Sequence, residues 1–86
     1  MSDQLMDRME RITDELAREI VKRQGVLLEL IGDRRFGEEK LSEPDQVKRY
    51  ALVRDHPAAW GDLMKQHGYK ATLAYGQRME RLKDRY

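Results

Sequence analysis

The chain has 86 residues, 38% of them charged, with 17 basic and 16 acidic side chains and no cysteine. Without cysteine there is no disulfide framework and no thiolate metal site, and the two histidines, His56 and His67, are too few for a histidine-built zinc centre. Near-balanced, dense charge describes a solvated helical surface rather than a chain that is basic throughout, and apolar runs such as Val26-Leu27-Leu28 fall far short of the roughly 20 residues of a membrane span.

From Leu5 the large apolar residues fall at Leu5, Met9, Ile12, Leu16, Ile20, Leu27 and then Leu30 or Ile31, spaced by four, three, four and four and then by seven to Leu27. That spacing predicts one long amphipathic helix over 1–32, capped by Ser2 or Asp3. Three acid-then-base pairs four apart, Asp7 with Arg11, Asp14 with Arg18 and Glu19 with Arg23, support it by about 0.2–0.5 kcal/mol each. Gly25 interrupts the pattern and marks a bend or a close approach of a neighbouring helix. Met6, Val21 and Leu28 widen the stripe beyond a two-stranded coiled-coil seam. Residues 33–41 read as a loop with Phe36 and Leu41 pinned on the core.

Residues 42–86 read as a three-helix cap. Ser42-Glu43-Pro44-Asp45 is a helix start, with a serine cap, a first-turn proline and an acid at the third helical position. The helix presents Val47, Tyr50, Ala51 and Val53 and stops near Arg54, because the residue before Pro57 avoids helical geometry. A third helix, capped by Asp55, carries Ala58, Ala59, Trp60, Leu63, Met64 and His67 and ends at Gly68. A fourth runs from about Lys70 to Arg85 with the stripe Tyr69, Leu73, Gly76, Met79, Leu82 and Tyr86. The expected architecture is an all-α single domain over 1–86: one long amphipathic amino-terminal helix followed by three shorter helices in a small bundle. Trp60, Leu63, Tyr50, Leu73 and Met79 are expected inside the cap.

A chain of this length buries only about 60–65% of its unfolded surface, so covering the long stripe is its main physical problem. With no metal or disulfide to help, a second copy or a partner protein is one source of cover. The candidate partner face is Leu5, Met9, Ile12, Leu16 and Ile20, each residue contributing about 1.5–3 kcal/mol when fully buried.

Charge is uneven along the chain. Residues 1–41 hold 8 basic and 10 acidic groups, and residues 42–86 hold 9 and 6. Lys70, Arg78, Arg81, Lys83 and Arg85 gather on the last helix, where cations favour the helix dipole or contact phosphates. The segment from Leu63 to Leu73, with Gly68 between two short helices, resembles the turn of a helix-turn-helix, although Met64 stands where that pattern has a small residue. The resemblance implies a recognition helix presenting Lys70, Thr72, Tyr75, Gln77 and Arg78, with Arg81, Lys83 and Arg85 toward the backbone. The overall order of one long charged helix and several short ones is also similar to the dimeric all-α chorismate mutases. The chain departs from that family's paired pattern at Ile12-Thr13-Asp14 and in its spacing to Gly32, and no residue is carried over as catalytic.

The sequence therefore reads as a non-enzymatic interaction or assembly protein, self-associating or docking through its first helix. It is of a kind frequent among bacterial accessory and bacteriophage assembly proteins, with a DNA-binding module as the alternative. No cofactor, metal, membrane or small-molecule substrate is expected. The polar start Met1-Ser2-Asp3-Gln4 has no leader-like apolar run behind it, which predicts a cytoplasmic protein, or one carried in a virion.

Overall fold

A computed structural model describes residues 2–25, 31–38 and 40–86. Four helices occupy them: α1, Ser2–Gln24; α2, Glu43–Arg54; α3, Pro57–His67; and α4, Tyr69–Lys83. Among the described residues there is no strand, and the all-α expectation holds. No described helix is long and apolar enough to cross a membrane.

The first helix ends earlier than the apolar spacing predicts. Gly25 takes φ +66°, a left-handed conformation that L side chains avoid, and α1 stops at Gln24 immediately before it. A Cβ at Gly25 would meet nothing within 4 Å, so the glycine serves backbone geometry and not a close helix approach. Gly25→Ala should accordingly lower stability by about 1 kcal/mol through strain alone. A shift of the urea midpoint with unchanged slope would show it. The expected continuation of the stripe through Leu27 and Leu28 lies outside the described residues. Ile31 lies beyond the helix end and is still buried.

The start of α2 follows its sequence signals. Ser42 is the N-cap, its Oγ accepting from the Asp45 N–H at 3.4 Å while its hydroxyl donates to the Asp45 carboxylate at 2.9 Å. Asp55, expected to cap α3, instead closes α2, its N–H donating to the Ala51 carbonyl. The N-cap of α3 is His56, with Pro57 in the first helical turn. His56 Nδ1 lies 2.7 Å from the Leu52 carbonyl, so it carries the proton, and Nε2 accepts from the Gln24 amide at 2.7 Å. The imidazole thus ties the end of α1 to the α2–α3 corner. Gly68, at φ +85°, is the sole residue between α3 and α4, and its N–H reaches the Met64 carbonyl at 2.7 Å.

The long stripe is covered within the chain. Met9 packs with Val47, Tyr50, Leu63, Tyr75, Met79 and Leu82, while Leu5, Met6, Ile12 and Leu16 lean on that cluster half-buried. Ala17, Ile20 and Val21 form a second cluster with Ile31, Val53 and Ala59. Leu16 and Trp60 touch both clusters and join them. Of the five residues proposed as a partner face, Met9 and Ile20 are core residues, and Leu5, Ile12 and Leu16 are half-buried against α2–α4. A partner could use all five only if the bundle opened.

Candidate docking groove and the buried polar centres

Two polar centres lie inside the bundle. The first is built on Asp14, a residue whose spacing to Arg18 predicts an ordinary surface pair. Asp14 is only 2% exposed and meets two arginines: Arg49 Nε at 2.6 Å and Arg18 Nε at 3.3 Å. Its other oxygen accepts from the Phe36 backbone N–H at 3.3 Å. Arg49 is itself 1% exposed and donates to the Asp45 carbonyl at 3.1 Å and the Arg34 carbonyl at 2.7 Å. Arg18 adds bonds to the carbonyls of Asp33, at 2.8 Å, and Arg34. One carboxylate and two guanidinium groups thus satisfy the backbone of the segment before α2 and fasten it to α1 and α2. This assembly has a structural role, since its donors and acceptors are spent on the chain itself.

The second centre is Glu10, 5% exposed on α1. Tyr75, fully buried on α4, donates its hydroxyl to Glu10 Oε2 at a long 3.5 Å, and Oε1 has no hydrogen-bond partner. Burial pushes the Glu10 carboxyl up to about 7, against the pull of Arg78 and the Tyr75 hydroxyl. Burial and then the neighbouring Glu10 push the Tyr75 phenol well above its ordinary value. His67 is lowered from 6.5 by burial and by the Arg8 charge. None of these three groups lines either of the two cavities described next.

The open surface is set by the rotation of α4. Its inward face is Thr72, Tyr75, Met79 and Leu82, all buried. Tyr69 and Leu73, expected on the inward stripe, are 65% and 46% exposed. The apolar eye follows Tyr69 and Leu73, but Tyr75 brings its ring into edge contact with Tyr50, with centroids 6.0 Å apart, and this larger buried surface fixes the helix phase. Tyr69 and Leu73 therefore border a groove of about 760 Å³ whose lining also includes Trp60, Met64, Gly76 and Arg81. Trp60 forms one side, its ring edge-on to Tyr50 at 6.0 Å and the Arg54 guanidinium 5.0 Å from the ring centroid. A Cβ at Gly76 would meet Trp60 Cη2 at 3.4 Å and Cζ2 at 3.5 Å, ordinary van der Waals contact, so the floor of the groove there has room for an alanine. A smaller cavity of about 250 Å³ lies between α1 and α3, lined by Leu16, Ile20, Ala59 and His56 among others.

The basic residues of α4 are placed unequally. Lys70, Arg78, Arg81 and Lys83, with the neutral Gln77 and with Arg85 just past the helix, are exposed, and none of the five cations makes an ion pair among the described residues. Thr72 does not belong with them. It is fully buried, its hydroxyl donating to the Gly68 carbonyl at 2.8 Å, so it cannot read a base edge. Tyr75 is equally unavailable. The single residue between α3 and α4 is also shorter than the three- or four-residue turn of a helix-turn-helix.

Among the described residues no group of three or more His, Asp or Glu side chains is gathered to hold a metal ion. Comparison with protein-family models, curated proteins and solved structures finds no significant match to this chain.

Proposed function

We propose that the protein is a protein–protein binding module that docks its partner in the groove between α3 and α4. The observation that carries this reading is the exposure of Tyr69 and Leu73 on a groove walled by Trp60, in a chain whose other large described apolar residues, Tyr86 apart, are at least half-buried. Apolar side chains held open beside a well-packed aromatic make a rigid anchor site of the kind that dominates binding energy at interfaces. The polar centres support the same reading, because Asp14, Arg18 and Arg49 are engaged in holding the chain together and Glu10 and Tyr75 lie away from the groove. Relative to the sequence reading, the docking face moves from α1 to α4.

Leu73→Glu tests it. The residue is 46% exposed, so the variant should unfold within about 1 kcal/mol of the parent. A partner protein recovered with the parent chain should be lost from Leu73→Glu while circular dichroism is unchanged. Retention of the partner by a folded Leu73→Glu chain would remove the groove from the account.

A further inference from the structure

We infer that the groove's occupant is an acidic amphipathic helix of a partner protein, its apolar side chains seated between Trp60 and Leu73 and its carboxylates on Lys70 and Arg81. This rests on the docking reading above and adds the chemistry of the partner. At 100° per residue, Lys70, Ala74, Gln77, Arg78 and Arg81 share an arc of about 100° on α4 that contains no acid. Gln77 and Arg81 line the groove, and Lys70, outside the lining, falls between them on that arc, so helix geometry sets it beside the outer lip that Arg81 forms. These cations make no ion pair among the described residues, unlike Arg18, Arg23 and Arg49, which are paired with acids of α1. The groove's one acid, Glu80, faces the Tyr50 hydroxyl, with Arg54 also beside that hydroxyl. The lip is therefore a positive edge beside an apolar trough.

The span from Tyr69 to Glu80 is about 16 Å, three turns, long enough to take the roughly 10 Å between the i and i+7 anchors of a docked helix. A second copy of this chain fits poorly. Its exposed large apolar residues among those described are Tyr69, Leu73 and Tyr86, all on α4 or just past it, so pairing two copies there would set basic lip against basic lip. The more acidic half of the chain offers no free apolar face among its described residues, because the α1 stripe is spent in the core. A nucleic-acid duplex would satisfy the cations and leave Trp60, Tyr69 and Leu73 without a role.

The test is selection on the full chain from a library of helical peptides about 16 residues long, with leucines at three- and four-residue spacing and flanking positions free to be Glu, Lys, Gln or Ser. Glutamate should be enriched on one flank, and the selected peptides should bind Lys70→Glu plus Arg81→Glu about tenfold more weakly than the parent. Selected peptides with neutral or basic flanks that still lose binding on Leu73→Glu would overturn the acidic partner and leave the docking groove standing. An empty selection, or binders indifferent to Leu73→Glu, would overturn both. Duplex DNA bound more tightly than the selected peptides at about 0.15 M salt would overturn the inference in favour of phosphate recognition.

Discussion

Arg49→Ala is expected to destabilise the fold by about 3–5 kcal/mol, because it leaves the buried Asp14 carboxylate without its closest partner. The Asp14–Arg49 contact is 2.6 Å, with the two side chains 3% and 1% exposed, so the carboxylate left behind lies out of reach of bulk solvent. The same substitution removes one of the two guanidinium donors to the Arg34 carbonyl and the side-chain donor to the Asp45 carbonyl. A chain of 86 residues has about 4–13 kcal/mol of total stability at the usual per-residue range. The loss would then take roughly a fifth of it or more and at the low end would unfold the protein. Asp14→Ala should fall in the same range, since it strands two arginines. Because the two side chains are in contact, the double substitution should cost clearly less than the sum of the single ones. Chemical denaturation of the four proteins measures this directly, and equal additivity would show that the pair is not coupled.

Glu10→Gln is expected to do the reverse and stabilise the protein at neutral and higher pH. The folded chain holds the Glu10 proton more tightly than the unfolded chain, with the carboxyl raised from 4.5 to about 7. Between those values the native state binds more protons than the unfolded state, so stability falls as pH rises through this window. Below about pH 4.5 the acid is protonated in both states and the penalty is absent; above about 7 it is ionised in both and the penalty is complete. The displacement corresponds to about 3 kcal/mol. The unfolding free energy of the parent relative to Glu10→Gln should therefore decline from pH 5 to 8 by roughly that amount, while His67, lowered from 6.5, acts in the opposite direction in both proteins. At acid pH, where the parent acid is already neutral, the two proteins should differ little.

The helix starts and stops nearest the carboxyl half were legible in local chemistry. Ser42 with Pro44, Pro57 after His56, and Gly68 each act through their own backbone or side chain and leave a mark in sequence. The end of α1 was not, because apolar spacing continues through Leu27 and Ile31 while a left-handed glycine stops the helix at Gly25. Asp14 was visible only as half of a pair with Arg18; Arg49 lies 35 residues away and meets it only after α2 docks on α1. The groove was hidden for a related reason. Periodicity within α4 allows either Tyr69 and Leu73 or Thr72 and Tyr75 to face inward, and contact between Tyr75 and Tyr50 on another helix decides between them.

On the proposed reading the α3–α4 groove, and not the α1 stripe, is the surface this protein offers to a partner. Amide chemical-shift mapping of the labelled chain, titrated with a groove-selected helical peptide, tests it most directly. Shifts should be concentrated at Trp60, Met64, Tyr69, Leu73 and Gly76, with α1 quiet from Leu5 to Leu16. Shifts running along Leu5, Ile12 and Leu16 with the groove silent would contradict it.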